Sequence, residues 1–160
     1  MLQRDTSNRD DLTDLSEVPV RGRIIGIDPG TKRCGVAVCD ELRVTTRPLD
    51  FIVSTNWKNL LSKIREIVSE YDARAAVIGL PLESDGSESE MSTVARRMAR
   101  NLALSVPIPV YLQDERVTSY DAKARLWSEG KSLAGARKLT DSTAAAIILA
   151  DFLDRIRPRD

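Results

Sequence analysis

Acidic residues at three places in the chain could be gathered to do chemistry: Asp28 at the end of an apolar run, Asp114 and Glu115 at the end of another, and Asp141 where the last helical pattern begins. The 160 residues include no histidine. That absence removes Ser-His-Asp triads, Cys-His pairs and histidine-bearing zinc sites. Hydrolysis is left to carboxylates, lysines, hydroxyls or a bound metal, and carboxylate-held magnesium or manganese is the direct route. Three converging carboxylates repel one another unless a cation joins them. Such an ion lowers the pKa of a bound water and stabilises the charged transition state of phosphodiester hydrolysis. Two ions about 3.5–4 Å apart would hold both the attacking and the leaving oxygens. Each acid also has a plain structural reading. Asp28 can open the Pro29-Gly30 turn, Asp141 can complement a helix dipole, and Asp114 and Glu115 can be loop acids. Side chains alternate along a strand, so only one of that adjacent pair need face a site.

The elements that must position these acids follow from periodicity. Residues 23–28 read as a strand, Pro29 to Lys32 as a turn, residues 34–40 as the antiparallel return strand, and Thr45 to Leu49 as a third strand. Trp57, Leu60, Leu61, Ile64, Ile67, Val68 and Tyr71 repeat at helical spacing. Ala75 to Leu80 is an apolar strand stopped by Pro81, and a second helix carries a Met91–Val94–Met98–Leu102 stripe. Pro109 to Leu112 form the last strand. A third helix runs from Thr118 or Ser119 to Trp127, residues 130–138 form a mobile loop, and Thr140 caps the final helix, whose face is Ala145, Ile148, Leu149, Phe152 and Ile156. This order predicts an α/β fold: a mixed five-stranded sheet, its first three strands antiparallel and the rest parallel, flanked by helices. Residues 1–20 are polar and aperiodic and read as a disordered leader. The domain is expected over residues 21–157.

Acidic and basic residues balance at 24 each, which argues against bulk attraction to nucleic acid. The leader holds five acids and two bases, so the remaining chain leans basic. Arg96 and Arg100 are i,i+4 neighbours with Arg97 beside them, a ridge able to contact phosphates or simply a solvated face. Lys32 and Arg33 follow Asp28 closely and are candidate substrate contacts. Arg116 could orient Glu115 or reach a phosphate, and Lys131, Arg137 and Lys138 could close on one. Cys34 and Cys39 are too few for a disulfide framework and read as reduced thiols on a hairpin. No apolar run approaches a membrane span, and no signal peptide opens the chain, so the expectation is a cytoplasmic protein without a membrane partner.

Together these segments resemble the YqgF/RuvX family of RNase H-like proteins. The matching stretches are residues 26–32 with 35–38, residues 77–82 with Asp85-Gly86-Ser87, residues 114–119, and Asp141-Ser142 with Ala144, Ala145, Ile147, Ile148 and Leu149. The resemblance covers roughly residues 22–156 and leaves out the leader. It implies an RNase H-like fold and a nuclease site. Asp28, Glu115 and Asp141 would act as catalytic metal ligands for Mg2+ or Mn2+, with Asp114 as second choice to Glu115. It also implies a nucleic-acid partner. Family members are described as candidate nucleases for the 5′ end of pre-16S ribosomal RNA and have been proposed as Holliday-junction resolvases acting on branched DNA. Junction cutting would need a dimer; the sequence leaves the oligomeric state open. Two rivals stand beside this reading. One is a non-catalytic RNA-binding factor. The other is an actin-like ATP-binding fold, which needs two such domains where this chain supplies one.

Overall fold

The computed structural model describes residues 15–30, 32–53, 55–115 and 133–157, with the backbone alone for 133–141. Its strands are β1 (Ile24–Asp28), β2 (Arg33–Cys39), β3 (Thr46–Pro48), β4 (Ile52–Val53), β5 (Ala75–Leu80) and β6 (Val110–Asp114). The helices are α1 (Trp57–Tyr71), α2 (Glu90–Ser105) and α3 (Leu133–Ile156). The expected helix from Thr118 or Ser119 to Trp127 lies outside the described residues.

The sheet runs β3-β2-β1-β5-β6, in the mixed arrangement expected, with β4 as an additional short strand beside β2. β1 and β2 form an antiparallel hairpin in which Asp28 stands opposite Gly35. β5 lies parallel to β1, and β6 parallel to β5 with Leu80 opposite Asp114. The carboxyl ends of β1, β5 and β6 therefore share one edge, the side of an α/β sheet where ligands bind.

Period-two alternation assigns the faces. Ile25, Ile27, Val36, Ile78 and Leu112 join one core cluster with Leu60 and Ile64 of α1 and Met98 and Leu102 of α2. Ile24, Ala37, Val77 and Tyr111 join the other, with Ala145, Ile148, Leu149 and Phe152 of α3. The Tyr111 and Phe152 rings stack with centroids 5.5 Å apart.

Three expectations are corrected. The buried stripe of α2 is Ser92, Ala95, Met98, Ala99 and Leu102, while Val94 is exposed. The two alanines carry little hydropathy, yet their small side chains let the helix approach the sheet. The last helix begins at Leu133, so residues 133–138 of the expected loop are helical, Thr140 is not the helix cap and Asp141 is not in its first turn. Residues 133–139 are mostly Leu, Ala, Arg and Lys, strong helix formers that extend the helix past a local capping signal. Residues 1–14 of the expected leader lie outside the described residues, but Leu15–Glu17 form a 3-10 turn, and Leu15 and Val18 pack on the α3 cluster. Two apolar side chains at that spacing suffice to dock a short segment on the core.

α3 reaches the sheet by resting on glycines. A Cβ at Gly26 would lie 2.8 Å from the Ala145 carbonyl oxygen and 2.8 Å from Leu149 Cβ. At Gly79 it would meet Ile148 Cδ1 at 2.4 Å, the free end of a side chain. Gly26→Ala is therefore expected to lower unfolding free energy by about 1–3 kcal/mol, and Gly79→Ala by less, because Ile148 can turn aside and the Ala145 carbonyl cannot. Denaturant titration measures both, and equal losses at the two glycines would show that the backbone contact does not set the helix position.

Candidate active site

The edge formed by β1, β5 and β6 holds Asp28, Asp114 and Glu115. Asp28 closes β1 and is half-buried. It shares the parity of Ile24 and Gly26, which places it on the α3 side of the sheet. Glu115 follows β6, and its backbone N–H donates to the Leu80 carbonyl at 2.9 Å, so the strand path continues to it. Along β6, Tyr111 stacks on Phe152, and Gln113 Oε1 accepts from Arg155 Nη1 at 2.7 Å, so both point toward α3. Glu115 continues that parity and is 5% exposed, whereas Asp114 is exposed on the alternate position.

Asp141 is placed by the backbone of α3, and its side chain is not among those described. Its surroundings are fixed by its neighbours. Ala145, one turn onward, rests on Gly26. The Ser142 Oγ accepts from the Val36 N–H at 3.3 Å, and Val36 stands opposite Ile27 in the β1–β2 register. α3 thus runs antiparallel to β1, and position 141 lies toward the edge that carries Asp28. Among the described residues no group of three or more Cys, Asp or Glu side chains stands close enough to hold a metal, and the Asp141 side chain falls outside that set.

The turn between Asp28 and β2 needs glycine at position 30, where a Cβ would fall 2.1 Å from the Arg33 carbonyl oxygen. Lys32 is exposed there. Arg33 lays its guanidinium over the Phe51 ring at 4.7 Å, which leaves its charge near the edge but orients it along β2. Cys34 is fully buried beneath the turn. Its thiol is pushed up to about 11, first by burial and secondarily by the Asp28 charge, against a lowering hydrogen bond from the Gly30 backbone. Cys34 and Cys39 are both free and buried, so neither is placed to crosslink two chains.

Of the basic ridge, Arg96 pairs with Glu88. Its Nη2 lies 2.6 Å from Glu88 Oε1, and its Nε donates to the same oxygen at 2.9 Å. Glu88 also accepts from the Ser92 hydroxyl at 2.5 Å, while Ser89 caps α2 and donates to the Pro81 carbonyl at 2.6 Å. Sequence reasoning missed this network, although Ser89 three residues before Ser92 is a capping-box spacing. Arg96 thus helps fasten α2 to the end of β5. Arg97 is exposed and Arg100 half-buried. Arg116 lies outside the described residues.

Several solved structures share this arrangement. RuvC of Thermus thermophilus superposes with a TM-score of 0.52 at 14% identity, covering 84% of this chain and 96% of that one. The fowlpox virus Holliday junction resolvase does so with a TM-score of 0.52 at 13% identity, covering 84% and 99%. At these identities the likeness speaks for the fold, which is RuvC-like and of the RNase H class. The RuvX family model, described as a Holliday junction resolvase, matches residues 22–155. A candidate pre-16S rRNA nuclease of Anaeromyxobacter sp. (strain K) is 40% identical over 136 residues, 85% of this chain and 99% of its own. Another, of Syntrophus aciditrophicus (strain SB), is 39% identical over 134 residues, 84% and 89%. Fold and family together define a nuclease, a hydrolase of phosphodiester bonds acting on nucleic acid. The chain belongs to the RuvX family.

The Glu88 carboxyl is held below its usual range, mainly by the Arg96 hydrogen bond and then by Ser92. A depressed carboxyl contributes stability above its unfolded pKa and loses that contribution as pH falls through the folded value. Glu88→Gln is expected to melt below the parent at neutral pH. The gap should close as pH drops below the unfolded value of 4.5. Melting curves across that window check it; a gap that stays constant in acid would show that the Glu88 charge is not what holds Arg96.

Proposed function

We infer that this protein is a divalent-metal nuclease that trims the 5′ end of precursor 16S ribosomal RNA in the cytoplasm, with Asp28, Glu115 and Asp141 as its metal-holding acids. The observation that carries the site is the common edge and face of Asp28 and Glu115, on the side where α3 brings position 141. The RNA substrate is inferred from the names that the relatives carry. The RuvX description favours a second reading, cleavage of branched DNA, and that reading requires two sites and therefore a dimer. No helix among the described residues is long and apolar enough to cross a membrane.

Carboxylate oxygens are hard donors suited to Mg2+ or Mn2+, and a divalent ion bound there supplies charge stabilisation and a more acidic water. Asp28 is held at a strand end backed by the Gly30 turn, and Glu115 is fixed by its backbone bond to Leu80, so both are preset rather than drawn in from mobile loops. Their burial beside α3 lowers the local dielectric and strengthens each interaction with a charged phosphate. Lys32 on the turn beside Asp28, and Arg33 at the start of β2, supply positive charge toward the phosphodiester. Arg96, Arg100 and Arg116 remain proposed phosphate contacts, with Arg96 also pairing with Glu88 beside the α2 cap.

The test is a cleavage panel of precursor ribosomal RNA and four-way DNA junctions with magnesium or manganese. Asp28→Asn, Glu115→Gln and Asp141→Asn are each expected to lose most activity, about 100-fold or more. Their metal-free melting temperatures should match or exceed the parent's, because one like charge has been removed. Asp114→Asn should stay active; abolished cleavage there, with Glu115→Gln retained, would reverse the assignment. Full activity in excess chelator would end the metal reading. Asp141→Asn that is destabilised yet fully active would return Asp141 to a helix-forming role.

A further inference from the structure

At the opposite end of the sheet, where β1 begins, the β2–β3 turn and the carboxyl end of α1 enclose a cleft of about 730 Å3. We propose that this cleft binds phosphate groups of the nucleic-acid strand, remote from the bond that is cut. The proposal rests on the nuclease reading of the other edge.

The cleft is lined by Arg21, Arg23, Arg43 and Arg74. Its two carboxylates are already engaged: Glu41 lies 3.7 Å from Arg23, and Asp72 lies 3.2 Å from Arg74. Arg21 is exposed at the rim. Arg43 is the distinctive member. Its Nε donates to the Gly22 carbonyl at 2.8 Å, while its Nη2 is buried with no hydrogen-bond partner among the described residues. A buried donor left open costs free energy, and an acceptor in the cleft meets it once the side chain turns outward.

The backbone makes two concessions at this point. Arg43 has φ 58°, in the left-handed region that side-chain-bearing residues seldom adopt. Asp40 holds the turn by accepting from the Val44 and Thr45 N–H groups, each at 2.8 Å. Gly22 has φ 104°, and a Cβ there would lie 2.5 Å from Arg74 Cγ. Position 22 is therefore limited to glycine, both by its φ and by the nearness of Arg74.

The cations are all arginine, whose planar fork matches phosphate oxygens in pairs; Arg23 and Arg74 carry carboxylate partners, which makes Arg21 and Arg43 the principal contacts. The cleft is far larger than one oxyanion, which suits a length of phosphodiester backbone. The two ends of β1, five residues apart, are separated by roughly 16 Å, well under the length of a duplex of about 20 base pairs.

The experiment measures affinity of the full chain, in chelator to prevent cleavage, for an RNA duplex of about 20 base pairs across a salt series. Arg21→Gln with Arg43→Gln should weaken binding about tenfold. It should also reduce the salt slope by about one unit per lost contact. Lys58→Gln, exposed and outside the cleft, should change neither. Arg21→Gln alone, at an exposed position, keeps the test valid if Arg43→Gln disturbs folding, and Arg43→Lys should restore charge but not full affinity. An unchanged slope in the folded variants, or an equal change in Lys58→Gln, overturns the proposal. So does competition for the cleft by polyglutamate but not by duplex, which would make the occupant an acidic protein segment. The outcome is separable from the catalytic reading. Normal cleavage with an unchanged slope defeats only the cleft, and a reduced slope in a chain that cuts nothing defeats only the nuclease assignment.

Discussion

The seating of α3 on Gly26 is the contact on which the rest of the structure depends. Helix backbone meets strand backbone there with no side chain between them, so the helix sits as low on the sheet as chain volume allows. That closeness permits the Ser142 hydroxyl to take the Val36 N–H, while the Val36 carbonyl accepts from the Leu49 N–H just past β3. It also fixes which residues of α3 stand over which strand, with Ala145 over β1 and Ile148 over β5. The position of Asp141 relative to Asp28 is therefore a consequence of packing rather than of local helix chemistry.

The second constraint is the parallel run of β1, β5 and β6. Parallel neighbours bring their carboxyl ends to one edge, which a hairpin cannot do for three strands. Asp28 and Glu115, far apart in sequence, become neighbours two strands apart on one face. The same topology leaves the amino ends of these strands at the other edge, where Arg23 opens β1 and Arg74 precedes β5. Acid at one end and arginine at the other are thus two products of one sheet. A chain with no net charge can in this way present distinct local fields to a polyanion.

Only tertiary contacts distinguish arginines that look alike in the sequence. Arg96 and Arg100 look equivalent as i,i+4 neighbours, yet Glu88 and Ser92 take Arg96 into the α2 cap. Arg43 belongs to no motif, yet its positive φ and buried Nη2 set it apart.

Much of the fold was legible in the chain. The hairpin around Pro29-Gly30, the helical spacing from Trp57 to Tyr71 and the apolar run Ala75–Leu80 are strong local patterns, and each became the expected element. The absence of histidine and the placement of Asp28 and Glu115 at strand ends limit the chemistry at the level of sequence alone. Other features depended on distant contacts. The face of α2 turned on Ala95 and Ala99, whose small size matters only against a sheet. The start of α3 ran past Thr140, because a capping residue is only a local preference and the helix-forming residues before it continue the helix. Which of Glu115 and Asp114 faces α3 required the parity of β6, since alternation says that two neighbours face opposite ways but not which way is inward. Tertiary packing supplied that direction, through Tyr111 on Phe152 and Gln113 on Arg155.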